Sequence, residues 1–220
     1  MKKISVLKDQ AVTALEGNWL KAALVMLIYI VLIDAAPFTA GFYVGFTGGA
    51  YYYIYPSYLV VYLLLPMVYG YNLTFLNVKR GTKIKVGTLF EGFKEYGRIW
   101  CTLMLNLIYV WIGTMLCFIP GIYVAYATAL TPFILKDYPQ MKYHRAIMMS
   151  WKMMKGHKWK LFVLDLSFLG WVLLCILTLG IGFLFLSPYW YTTRAAFYDN
   201  LKEELGAPSK EAATEVATAE

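Results

Sequence analysis

Charged side chains fall along this chain in short clusters that bracket long uncharged runs. Between Lys21 and Lys79 the one charged residue is Asp34, between Arg98 and Lys136 there is none, and between Lys160 and Arg194 there is only Asp165. A helix crosses bilayer hydrocarbon in about 20 residues at about 1.5 Å rise per residue, so such runs read as membrane helices. Residues 99–135 make 37 uncharged positions, too many for one span and enough for two short ones. Pro120-Gly121 stands near their middle, where Pro interrupts the helical ladder and Gly admits a turn, which predicts a tight helical hairpin. Residues 161–193 repeat the arrangement around Leu179-Gly180-Ile181-Gly182. The first apolar region is longer and predicts helices over 19–36 and 57–76, joined by a Gly- and Tyr-rich outer loop over 37–56.

The same hydrophobic period marks a segment ahead of each hairpin. Ile4, Leu7, Ala11 and Leu15 form one helical stripe; Val86, Phe90, Phe93 and Gly97 form a second, with Thr88 and Glu91 in capping-box relation. Tyr143, Ile147, Trp151 and Met154 form a third, opened by Asp137, Pro139 and Gln140. With Lys and Arg on their other faces, these segments read as helices lying in the headgroup layer. Each hairpin is then introduced by a small signature: Gly17-Asn18-Trp19, Gly97-Arg98-Ile99-Trp100 and Gly156-His157-Lys158-Trp159. The glycine can end one helix, and the indoles of Trp19, Trp100 and Trp159 suit the lipid–water interface, apolar in body with one donor to keep wet. The expected fold is all-α: a polytopic membrane protein of six transmembrane helices in three hairpins (about 19–76, 99–135 and 160–200), each preceded by an amphipathic interfacial helix. Residues 1–205 form one transmembrane domain, and 206–220, small, polar and Ala-rich, form a disordered cytoplasmic tail.

Composition agrees, with 60% apolar, 18% aromatic and only 15% charged residues, where a soluble domain carries about 25% charged. The 20 Lys and Arg fall in the N-terminal segment, the two linkers between hairpins, the inner end of the last span and the tail, and the three outer connections have none. The positive-inside rule then puts both termini in the cytoplasm. A cleaved leader ending after Ala36 is the other reading of the N-terminus, and Asp9, Glu16 and Lys21 push the apolar run too far from the start for it. The net charge of +7 flanks membrane segments, which points to anionic headgroups rather than nucleic acid. Cys101, Cys117 and Cys175 are odd in number and lie within the apolar runs, so they read as packing residues.

A resemblance covers nearly the whole chain short of its tail. It is carried by Met154-Lys155-Gly156-His157-Lys158-Trp159-Lys160-Leu161-Phe162, Leu166-Ser167-Phe168-Leu169-Gly170-Trp171, Thr178-Leu179-Gly180-Ile181-Gly182, Pro188-Tyr189 and Phe197-Tyr198, together with Gly17-Asn18-Trp19 and Pro120-Gly121-Ile122. These closely resemble the bacterial membrane proteins catalogued as domain of unknown function 975. The resemblance implies a bacterial multispanning protein; it carries no settled activity and supplies no catalytic residue.

Charges inside a span are costly and so are candidates for a role. Asp165 and Arg194 lie about 14 residues on either side of the Leu179-Gly180 turn, so antiparallel arms bring them to similar depth, either as a pin that fixes register or as a switchable pair lining a pathway. Asp34 lies at the outer end of the first span, where reaching the interface competes with cation binding. Asn72, Asn77 and Asn106 are candidates for hydrogen bonds between helices, and Gly113 and Gly170 for close helix contact. His144 and His157 lack partners at metal-ligand spacing. Met141, Met148, Met149, Met153 and Met154 read as a membrane-dipping face rather than a soft-metal site. Ser150, Ser167 and Ser187 have no His and Asp nearby, and no phosphate-cradling glycine loop occurs. No metal, cofactor or catalytic residue is expected.

Two function classes follow. The first is a non-enzymatic inner-membrane module that binds anionic lipid, a partner membrane protein or a second copy of itself. The alternative is a small transporter or exporter of an amphiphilic or peptide substrate, using Asp165, Arg194 and the helix breaks at Pro120, Pro132 and Pro188. An intramembrane enzyme finds no support in the residues. A cysteine placed at Gly48 is expected to react with an impermeant maleimide from outside intact cells; reaction only from the cytosolic side overturns the orientation.

Overall fold

A computed structural model describes the backbone of residues 2–47, 54–141 and 143–206, and the side chains of those residues except 34–58. The described residues form helices and contain no strand. In chain order these are α1 (Ile4–Leu15), α2 (Trp19–Thr47), α3 (Ile54–Leu63), α4 (Leu65–Lys79), a 3-10 segment (Val86–Phe93), α5 (Tyr96–Leu116) and α6 (Phe118–Ala127). They continue with α7 (Thr131–Asp137), α8 (Tyr143–Met153), α9 (Lys158–Leu166), α10 (Leu169–Leu177) and α11 (Phe183–Glu204).

Three helical stretches are long and apolar enough to cross a membrane: Tyr96–Leu116, Phe118–Asp137 (α6 continued by α7) and Lys158–Leu177 (α9 continued by α10). Ile4–Leu15 and Trp19–Ile33 pass together as a fourth, but they meet at 94° across Gly17, whose φ of +72° suits a residue without Cβ. Large apolar side chains line the outside, with Leu116 79%, Ile119 80%, Leu177 81% and Leu179 94% exposed. Such an exterior beside long apolar helices fits a multi-pass membrane protein.

Several local expectations give way. The loop over 37–56 is helical as far as Thr47 and again from Ile54. One Pro removes one hydrogen bond from a helix, and the remaining bonds of a long apolar helix carry α2 through Pro37. The turn between α5 and α6 lies at Cys117, which is extended with φ −169°, and Pro120 and Gly121 sit in the first turns of α6. Pro is accommodated there because an N–H at that position would lack a helical partner anyway. Gly121 serves close approach instead: a Cβ on it would stand 2.3 Å from Thr114 Oγ1, and one on Gly113 would stand 3.3 Å from Gly121 Cα. A Cβ on Gly170 would meet open space, so that glycine makes no close helix contact. At the next turn both Leu179 (φ +54°) and Gly180 (φ +88°) are left-handed, and the Gly180 N–H donates to the Cys175 carbonyl at 2.9 Å. Gly182 is right-handed and lets α11 pass Cys175, whose Sγ would lie 2.6 Å from an added Cβ.

Of the three amphipathic segments, α1 buries Leu7, Ala11 and Leu15 against α11 and α4, so its stripe faces protein. The second is the 3-10 segment, capped by no side chain, and Glu91 pairs with Lys136 at 3.5 Å rather than closing a box. The third, α8, buries Ala146, Ile147, Met149, Ser150 and Met153 and leaves Tyr143 and Trp151 outward. Met141, Met149, Met153 and Met154 are buried in the protein core and only Met148 faces out, which replaces the membrane-dipping face expected of them. Gly17 and Gly156 have positive φ and break helices, whereas Gly97 lies inside α5, so the threefold signature is structurally twofold. Cys117 is exposed, and Cys175 is buried.

The bundle closes where α4 crosses the 3-10 segment. A Cβ on Gly70 would stand 2.1 Å from the Leu89 carbonyl oxygen, and one on Gly92 would stand 2.3 Å from the Pro66 oxygen. On the far face of α4, Tyr71 is fully buried, edge-on to Phe75 at 4.9 Å and to Tyr191 at 4.8 Å, with its hydroxyl on Met26 Sδ at 3.0 Å. Gly70→Ala forces backbone apart on a face that cannot yield and is expected to cost about 2 kcal/mol. Thermal unfolding in mild detergent reads this as a lowered Tm, and an unchanged Tm would show the crossing to be loose.

Candidate functional site

Asp165, on α9, keeps 8% of its side chain exposed. Arg194 on α11 donates from Nε to Oδ1 at 3.1 Å and from a terminal nitrogen to Oδ2. Trp190, one turn before Arg194, donates its indole N–H to Oδ1 at 2.6 Å and lies 5.3 Å from the guanidinium. Two helices thus meet on one anion that is held by a forked cation and one neutral donor. A carboxylate so engaged keeps its charge away from water and has little capacity left for a metal or a travelling proton.

A second cluster escaped the sequence reading. Arg80, just past α4, donates to both oxygens of Asp137 at 2.7 and 2.9 Å and to Asp199 at 2.7 Å. Lys202 and the Tyr198 hydroxyl reach Asp137 Oδ2 at 2.6 and 3.0 Å. Asp137, only 8% exposed, ends α7 instead of opening α8 and ties the charged ends of α4, α7 and α11 together. The available signal was that each apolar run ends in a cation or carboxylate, so these ends gather at one level. Beside the cluster lies a polar cleft of about 370 Å³ lined by Lys2, Gln10, Lys79, Arg80, Asp199 and Lys202 among others.

An apolar cleft of about 390 Å³ runs between α5, α6 and α8, lined by Tyr109, Ile112, Gly113, Val124, Met148 and Trp151 among others. At one end the Tyr109 hydroxyl and His144 Nδ1 are 2.9 Å apart; at the other, Lys158 Nζ lies 3.7 Å from the Tyr123 ring and 4.9 Å from Trp151. No group of three metal-ligating side chains occurs among the described residues. Burial, followed by the charge of Lys160, lowers the pKa of the His157 imidazole from its ordinary value.

The other singled-out residues stay apart. Asn106 keeps its Oδ1 buried, with no hydrogen-bond partner among the described residues, and Asn72 donates within its own helix to Val68 at 2.7 Å. Trp100 spends its donor on the Tyr62 carbonyl at 2.9 Å rather than keeping it wet. Trp19 lies 6.4 Å from Tyr189, and Trp159 stands 72% exposed, stacked on Phe162 at 5.0 Å. Asp34 belongs to α2 by its backbone, and its side chain, Gly48 and residues 207–220 lie outside the described set.

A family model described as protein of unknown function (DUF975) matches residues 103–205, from within α5 to just past the end of α11. The family resemblance seen in the sequence is shown over those residues, which include Asp137, Asp165, Arg194 and both turns. No curated protein and no solved structure matches the chain.

Removing one partner of the Asp165–Arg194 pair strands a charge, and Asp165→Asn and Arg194→Gln are each expected to cost about 3 kcal/mol. The double variant is expected to be less destabilised than the two changes added, by about 1 kcal/mol or more. Unfolding of all four proteins in detergent measures this; strict additivity would show that the pair carries no coupling.

Proposed function

We propose that this chain is a non-enzymatic, multi-pass protein of the bacterial cytoplasmic membrane that binds anionic lipid, and that it shapes or assembles structure there. Its six helical arms form three hairpins entered from the cytoplasmic side, with both termini in the cytoplasm. The observation that carries this reading is the setting of α1. A helix preceded by Lys2 and Lys3 and carrying Lys8 lies at 94° to α2 while its apolar stripe is spent on α11 and α4. A basic helix start held across the direction of the next helix presents Lys2 and Lys3 to a headgroup layer, while Lys8 is engaged by Ser167 and Phe168. The buried acids support the same reading: Asp137 and Asp165 are both consumed by ion pairs that join helices. Transport through a charge relay would need an acid able to release its partner, and the three donors on Asp165 disfavour that.

Lipid extracted with the protein in mild detergent is expected to be enriched in anionic over zwitterionic species. Replacing Lys2 and Lys3 with Gln is expected to reduce that enrichment by about twofold or more, given about 1 kcal/mol of headgroup attraction per cation. Mass spectrometry of the bound lipid measures it, and a protein that elutes lipid-free and alone would refute the proposal.

A further inference from the structure

We infer that the hairpins turning at Cys117 and at Leu179-Gly180 do not cross the bilayer: they enter from the cytoplasmic side, turn back among the acyl tails and act as a wedge of partial depth. The inference rests on the orientation proposed above and deepens its lipid reading.

The first observation is the chemistry of the two tips. Met115-Leu116-Cys117-Phe118-Ile119 and Leu177-Thr178-Leu179-Gly180-Ile181 contain no charge and no amide side chain, and their large apolar residues are strongly exposed, Ile119 at 80% and Leu179 at 94%. The hydroxyls that do occur there are turned inward: Thr114 donates to the Val110 carbonyl at 2.8 Å and Thr178 to that of Cys175 at 3.0 Å. A turn emerging into water or headgroups would gain nothing from such a surface, whereas in tails it needs no partner.

The second observation fixes how far the tips reach. Lys8 of α1 donates from Nζ to the Ser167 carbonyl at 3.1 Å and lies 4.4 Å from the Phe168 ring. From Ser167 to Leu179 is twelve residues, about 18 Å of helix. Lys158 lies on Tyr123, six residues from Cys117, or about 9 Å of helix. His144 meets Tyr109, eight residues from the same turn, or about 12 Å. The contacts of Lys158 and His144 set the depth of the Cys117 tip, and that of Lys8 sets the depth of the Leu179 tip. Hydrocarbon is about 30 Å thick, so even with the reach of a lysine stem neither tip arrives at the far side. Length alone would let Tyr96–Leu116, Phe118–Asp137 and Lys158–Leu177 cross, but α8, which carries Arg145 and Lys152, packs along α5, Lys158 lies against Tyr123 of α6, and Lys8 sits against the middle of Lys158–Leu177. Pushing the tips out would drag Lys8, Lys152 and Lys158 into hydrocarbon, where charge is costly.

The helices beyond that polar level therefore sit in tails, and they displace them from the cytoplasmic half more than from the other. An asymmetric inclusion of this kind bends a membrane without any active site.

The native Cys117 supplies the test. In full-length Cys101→Ser, Cys175→Ser protein, and in a second full-length protein with all three cysteines replaced by Ser and Leu179→Cys added, an impermeant maleimide is applied to intact cells, to inverted vesicles and after detergent solubilisation. Neither tip is expected to react from either face, and both are expected to react once solubilised. A nitroxide at the same positions in reconstituted vesicles is expected to relax faster with oxygen than with a water-soluble nickel chelate. Labelling of either tip in intact cells, or in inverted vesicles, overturns the inference. Lys83→Cys, in the exposed linker before the 3-10 segment, reports orientation separately: reaction in intact cells would refute the cytoplasmic placement, while the tips still decide the depth.

Discussion

A carboxylate removed from water is stable only where cations and donors take over its hydration, and that condition organises this bundle more than any other. Asp137 collects Arg80, Lys202 and Tyr198 and so fixes the ends of α4, α7 and α11 at one level. Asp165 collects Arg194 and Trp190 and so sets α9 against α11. The helices between these anchors are interchangeable oily rods as far as the hydrophobic effect is concerned, because lipid tails are as apolar as leucine. Ion pairs and close backbone contact then decide which rod lies beside which.

Close contact is supplied by a few glycines. Gly70 and Gly92 let α4 and the 3-10 segment meet backbone to backbone, and Gly113 and Gly121 do the same for α5 and α6. The two devices are complementary: glycine sets the distance between elements, and the buried carboxylates set their height. The domain matched by the family model holds the second glycine pair and both carboxylates, so its part of the fold carries its own means of assembly.

The polar groups also mark a level on the molecule. Lys8, Lys158, His144 and the Asp165 cluster all contact the helices within a few turns of the apolar tips. The proposed shallow seat of these helices agrees with the saturated state of the buried acids.

The sequence by itself determined the helical class, the long apolar runs, the segregation of charge and the meeting of Asp165 with Arg194. Each of these follows from period, length or matched distance from a turn, and such quantities are local. It also determined that Leu7, Ala11 and Leu15 share one helical face, while the tertiary structure decided that this face packs on α11 and α4 rather than on lipid. Only the tertiary structure decided that Asp137 anchors rather than caps, that Pro120 opens a helix three residues after the turn, and that four of five methionines are core. Those outcomes depend on which distant backbone or cation arrives alongside. A capping residue and a buried anchor carry the same carboxylate, and the choice between them belongs to the neighbour, which local pattern does not encode.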